Sequence, residues 1–173
     1  MARSKAVIFV PLVAVLVVLD RITKSVAEQA LVLYVPREVV GDALRWTLVY
    51  NPGAAFGLHL GPYSRWIFMA LTIGALFILA NLYRETRPAD RWRTLAVSLV
   101  TAGALGNLVD RVISPRGVVD FIDVGIGAAR WPTFNVADMA VSVGAVLLAL
   151  VLWGEDRAAA RAAALGTGQP GTT

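Results

Sequence analysis

Four long apolar stretches, at residues 6–23, 66–83, 94–113 and 134–153, divide the chain, and most of the polar residues inside them fall near one end. Each is close to the ~20 residues that carry a helix across ~30 Å of hydrocarbon. None alternates in the manner of a barrel strand, so helices are the remaining way to satisfy the backbone in lipid. Pro11 is positioned to kink the first. A chain that spans a bilayer reverses at each crossing. The end of span one, the end of span three and the start of span four therefore share one side. That side collects Asp20 and Lys24, then Asn107, Asp110 and Arg111, then Asn135 and Asp138. Polar and ionisable groups at membrane depth are costly and face a cavity or a site.

The segments on that side, 25–64 and 114–133, are longer than the turn joining spans two and three. Leu44, Trp46, Leu48 and Tyr50 alternate with Arg45, Thr47, Val49 and Asn51, the period of a half-buried strand. Gly41-Asp42 before it and Pro52-Gly53 after it are turn signals. The expected fold is an all-α membrane protein: four transmembrane helices with a small outward-facing β-sheet between helices 1 and 2. Trp46, Trp66 and Trp131 suit the interfacial belt. Residues 1–154 form a single membrane domain, and 155–173, rich in Ala, Gly and Thr, are expected as a disordered cytoplasmic tail.

Composition agrees: 57% of residues are hydrophobic and the mean hydropathy is +0.66, too apolar for an ordinary soluble domain. The net charge of +4 comes from cations on helix flanks, without a nucleic-acid-binding motif, so no nucleic-acid partner is expected. With no cysteine, thiolate catalysis and cysteine zinc sites are excluded. Arg3 and Lys5 before an apolar core, with Ser25-Val26-Ala27 behind it, loosely resemble a cleavable signal peptide. Three further spans follow, and cleavage would discard Asp20 and Lys24. The cations divide evenly between the two sides, but Arg84, Arg87, Arg91 and Arg93 are concentrated in one short turn. That density places both termini in the cytoplasm and the polar site near the outer face.

Asp110 lies ~22 Å along a helix entering near Leu95, hence ~8 Å below the far edge of the hydrocarbon. Asp138 lies ~5–9 Å below the same edge if span four starts between Pro132 and Asn135. Adjacent antiparallel helices would bring these two carboxylates into one pocket. Asn107, Asp110 and Arg111 share a helix face, Gly103 and Gly106 permit close helix contact, and Asp20–Lys24 is an i,i+4 pair. Asp20–Lys24 and Asp110–Arg111 also fit neutralised anchors of helix ends, and Asn135 or Asp138 a helix cap. Asp120 sits within VVDFID, residues 118–123, where apolar neighbours would desolvate it and raise its pKa. Two carboxylates sharing a proton can activate water and protonate a leaving group.

Rival chemistries are poorly supplied. His59 is the one histidine, which leaves a histidine metal site or a Ser-His-Asp triad weak. Ser25 beside Lys24 does not face it on a helix. Asp20, Asp110, Asp120 and Asp138 could ligate a hard cation, but Lys24 and Arg111 in the same cluster oppose that. A metal-dependent enzyme acting on lipid head groups is the corresponding alternative. A small transporter or proton-conducting protein also carries carboxylates in helices. Its site would lie near the midplane on broken helices, often with internal repeats, and no repeat is visible.

Five blocks occur in order: D-x-x-x-K at 20–24, YNPGAAFG at 50–57, GALGNLVDR at 103–111, VVDFID at 118–123 and FNVAD at 134–138. Together they closely resemble the bacterial lipoprotein signal peptidase family, signal peptidase II, over nearly the whole chain up to about Trp153. The resemblance implies an aspartic peptidase of the bacterial cytoplasmic (inner) membrane. It would cleave diacylglyceryl-modified prolipoproteins before the lipidated cysteine, as a monomer among membrane lipids, with no metal or other cofactor. Its catalytic aspartates match Asp120 and Asp138. Its supporting positions match Asp20, Lys24, Asn51, Gly53, Gly103, Asn107, Asp110, Arg111 and Asn135.

Overall fold

The structure, a computed structural model, describes residues 5–53 and 61–166. His59 and the Ala54–Gly57 part of the second block lie outside the described residues. Four helices are long and apolar enough to cross a membrane. They are α1 (Ala6–Ala30), α2 (Ser64–Glu85, preceded by a 3-10 turn at Gly61–Tyr63), α3 (Arg91–Ile113) and α4 (Val136–Gly166). Valines 7, 10, 15 and 18 of α1, Phe77 of α2 and Leu150 of α4 are exposed. On a soluble protein such surface would be a liability; in lipid it is the solvated face.

The third helix is the centre of the bundle. Its Ala96, Val97, Ser98, Ala102, Gly103 and Gly106 are buried, and small residues of this kind let neighbouring backbones approach closely. Thr94 and Ser98 return their hydroxyls to the carbonyls of Asp90 and Thr94, each at 2.6 Å, so two polar side chains are satisfied within the helix. Asp90 caps its start by accepting from the Arg93 amide at 2.9 Å. At its other end Arg65 donates to the carbonyls of Arg111 and Val112.

The sheet is antiparallel, with strands β1 (Arg37–Val40), β2 (Leu44–Asn51), β3 (Val118–Ile126) and β4 (Ala129–Arg130) in that spatial order. The expected strand over 44–50 is β2. The sheet, however, draws two strands from each of the segments 25–64 and 114–133. β2 pairs with β3 across the fold, with Val49 opposite Asp120 and Asn51 opposite Val118. Phe134 is stitched onto β3 as well: its carbonyl accepts from the amides of Phe121 and Ile122 at 3.0 and 2.8 Å, and its amide donates to the Ile122 carbonyl at 3.0 Å. This fold-back delivers the start of α4 to the strand that carries Asp120.

The expected disordered tail differs from the structure. The tail is helical as far as Gly166, because the run Ala158-Ala159-Ala160-Arg161-Ala162-Ala163-Ala164 consists of strong helix formers that prolong α4; residues 167–173 lie outside the described part. Trp46 is half-buried and packs on Phe121, with ring centroids 5.9 Å apart. Trp66 and Trp131 are exposed.

Candidate active site

Ten of the eleven sequence-predicted residues converge at one end of the bundle, and the eleventh, Gly53, shapes the strand end beside them. The assembly has two layers. The deeper layer is built on Lys24, whose side chain is fully buried. Its Nζ contacts Asp20 Oδ2 and Asp110 Oδ2, each at 2.8 Å, and Asn107 Oδ1 at 3.0 Å. Three acceptors satisfy the three ammonium hydrogens. The two carboxylates are tied in turn to backbone: Asp20 accepts from the Ala137 amide at 2.9 Å, and Asp110 from the Val119 amide at 3.2 Å. α1, α3, β3 and α4 are thus pinned to one buried ammonium group. The Asp20–Lys24 pair is as its spacing predicts, whereas Asp110 is drawn to Lys24 rather than to its neighbour Arg111. Arg21 adds a longer contact to Asp110 at 3.5 Å. Sequence reasoning passed over Arg21, and its position next to Asp20 is the one signal that could have shown it.

The glycines explain how the layer fits. A Cβ at Gly106 would sit 2.7 Å from Asp20 Oδ2, and one at Gly103 would sit 2.2 Å from the Ala137 carbonyl oxygen. The close crossing of α3 against α1 and α4 therefore needs hydrogen at both positions.

The upper layer holds the two candidate acids. Asn135 is the N-cap of α4: its Oδ1 accepts from the Asp138 amide at 2.9 Å, while Asp138 Oδ2 accepts from the Asn135 amide at 3.2 Å. This reciprocal pair is a capping box, so the helix-cap reading of Asn135 and Asp138 is correct alongside any further role. With its oxygen so engaged, Asn135 turns its Nδ2 toward Asp120 Oδ1 at 2.6 Å. Asn107 Nδ2 donates to Asp138 Oδ1 at 2.7 Å. On the sheet side, the Gly53 amide donates to Asn51 Oδ1 at 3.0 Å, which fixes the amide so that Asn51 Nδ2 donates to Asp120 Oδ2 at 3.1 Å. Gly53 adopts φ +119°, and a Cβ there would lie 2.7 Å from the Phe68 ring. All four oxygens of Asp120 and Asp138 thus accept N–H groups, and Asn135 bridges the two residues.

Asp120 is only 2% exposed. Burial, followed by the charge of Asp138, pushes its carboxyl up to about 7; the hydrogen bonds from Asn51 and Asn135 and the charge of Lys24 oppose this only in part. Arg111 lies within the field of Asp138, Asp120 and Asp110. Its Nη1 donates to the Asn107 carbonyl at 3.1 Å, and its guanidinium stands 5.9 Å from the centre of the Phe68 ring. Four carboxylates, those of Asp20, Asp110, Asp120 and Asp138, stand among the cations of Lys24, Arg111 and Arg21. Among the described residues no group of three or more His, Cys, Asp or Glu is arranged to hold a metal ion. Asp110 and Asp138 stand in one connected cluster, Asp110 on Lys24 and Asp138 on Asn107, which itself accepts from Lys24.

Comparison with known proteins places this geometry. Residues 12–154 match the family model of signal peptidase (SPase) II. The chain is 40% identical over 153 residues to the lipoprotein signal peptidase of Hydrogenovibrio crunogenus, which covers 84% of each chain. It is 39% identical over 152 residues to that of Ectopseudomonas mendocina, covering 86% of this chain and 89% of the relative. A solved bacterial membrane enzyme superposes with a TM-score of 0.80 at 30% identity, over 89% of this chain and 92% of the other. A second gives 0.77 at 31% identity, over 87% and 95%. With the family model spanning all four helices and the sheet, this multi-pass membrane protein belongs to the signal peptidase II family.

Proposed function

We propose that this chain is an aspartic endopeptidase that removes signal peptides from diacylglyceryl-modified prolipoproteins, cutting before the lipidated cysteine, with Asp120 and Asp138 as its catalytic pair. The observation that carries the reading is the bridging of two carboxylates from separate segments through Asn135, where strand β3 meets the start of α4. One acid is ionised and takes a proton from water as the water oxygen attacks the scissile carbonyl. The other, protonated, hydrogen-bonds the carbonyl oxygen as negative charge develops there. The tetrahedral intermediate then loses the amine, which leaves with a proton. A carboxyl held near 7 supports one shared proton at neutral pH.

Asn51, Asn107 and Asn135 hold the acids, and Arg111 supplies positive potential beside them. Asp20, Lys24 and Asp110 form the rigid floor, with Gly103 and Gly106 allowing its approach. The acids lie near one end of the spans, so diacyl chains can remain among the helices while the scissile bond reaches them. Membrane anchoring then becomes positioning. The basic turn at 84–93 and Arg157 and Arg161 on α4 support cytoplasmic termini and a site toward the outer face. The enzyme works as a monomer.

The test is incubation of the purified protein with a lipid-modified precursor and with the same precursor lacking lipid. Cleavage of the first alone, before its cysteine, is the expected result. Equal cleavage of both, or of neither, contradicts the reading.

A further inference from the structure

Behind the sheet, on the face opposite Asp120, three side chains meet that the proposed reaction does not use. The Tyr50 hydroxyl donates to Glu28 Oε1 at 2.9 Å. Arg116 Nη2 donates to the same oxygen at 3.3 Å, and its guanidinium lies over the Tyr50 ring at 3.9 Å from the centroid. A surface ion pair of this kind is ordinarily worth little, and Arg116 is 62% exposed. What distinguishes this one is where its members stand. Glu28 is one helical turn beyond Lys24 on α1. Tyr50 immediately precedes Asn51 on β2. Arg116 lies four residues before Asp120, in the loop that opens β3. Each member sits beside a site residue on a different element.

Side chains alternate along a strand, so a contact that holds Tyr50 toward α1 turns Asn51 to the opposite face. There Asn51 meets Asp120. Resting on the proposed role of Asp120, we propose that Tyr50, clasped between Glu28 and Arg116, is a positioning residue that sets the end of β2 so that Asn51 stays on the Asp120 carboxylate. The clasp touches neither acid and acts through Asn51. Burial and then Glu28 push the Tyr50 phenol up from its ordinary value, so it remains a donor throughout the neutral range.

The test is a double-mutant cycle on cleavage of the lipid-modified precursor, with Tyr50→Phe and Asn51→Ala singly and together. Tyr50→Phe deletes one hydroxyl and should lower kcat by about three- to tenfold, the worth of one hydrogen bond, with KM unmoved. The alkaline limb of kcat should move to higher pH. Asn51 favours the ionised form of Asp120, and loosening it raises that group; the other charges facing Asp120 are Asp138 of α4, Lys24 of α1 and Arg111 of α3. In the Asn51→Ala background, Tyr50→Phe should cost nothing further. Glu28→Gln keeps an acceptor oxygen for the phenol and should retain more activity than Glu28→Ala. An equal loss from Tyr50→Phe in both backgrounds, or an unmoved alkaline limb, overturns the proposal; if Glu28→Ala does not accumulate, the Tyr50→Phe cycle decides alone. Wild-type protein that fails to cleave, or Asp120→Asn that still cleaves, instead overturns the functional reading beneath it.

Discussion

Replacing Asp120 with Asn should shift the balance of heat stability toward the variant as pH rises. In the fold the carboxyl is held at about 7 against an ordinary 3.8. Its group is 2% exposed, so solvent screens it little. A raised carboxyl loses native stability as pH climbs from the unfolded value to the folded one, because the unfolded chain ionises first and without cost. The full loss above pH 7 is about 4 kcal/mol at 1.36 kcal/mol per unit. At pH 5 roughly 1.5 kcal/mol of it has been incurred, so about 2.5 kcal/mol separates pH 5 from pH 8. The Asn variant has no such dependence at this position. One of its amide atoms must face a donor from Asn51 or Asn135, which adds a cost that does not vary with pH. The slope of the difference is therefore the quantity to read. In detergent micelles, the Tm of Asp120→Asn minus that of wild type should rise by about 5–10 °C between pH 5 and pH 8. A difference that stays constant, or falls, refutes the claim that burial and its partner acid raise the Asp120 carboxyl.

Other perturbations have equally definite outcomes. Gly103→Ala places a methyl 2.2 Å from a backbone carbonyl oxygen; α3 and α4 must separate, and a loss of about 1–3 kcal/mol should appear as a Tm lowered by several degrees. Lys24→Met leaves Asp20 and Asp110 buried without their shared cation; a loss of about 3–5 kcal/mol is expected, read as poor accumulation or a collapsed Tm. Treatment with EDTA should leave cleavage of the lipid-modified precursor intact, and loss that added metal restores would move the chemistry to a bound ion.

Much of the architecture was legible because lipid imposes one rule on every residue. Spans of about twenty apolar residues announce themselves, and the structure differs from the expected limits mainly at the ends, where α1 runs on to Ala30 and α4 to Gly166. Strand β2 was legible from its alternation. Its pairing with β3 was not, since that contact joins residues far apart in the chain and leaves no local periodicity. The Asp20–Lys24 pair was visible as a helical spacing. Depth along an axis says nothing of rotation about it, so the individual partners were not legible: Asp110 turns to Lys24 and Asp138 to Asn107. The double use of Asn135, as cap and as bridge, emerged only with coordinates, because the direction of an amide is set by its neighbours. The Glu28–Tyr50–Arg116 clasp had no signal at all in the sequence, since its members belong to three elements.

The central claim is that Asp120 and Asp138 act as one unit, and single-turnover cleavage of the lipid-modified precursor by Asp120→Asn, Asp138→Asn and the double variant tests it most directly. Each single variant should abolish cleavage while the protein inserts and accumulates, and the double variant should be no worse than either. Near-normal turnover by either single variant, in membrane-inserted protein, contradicts the account.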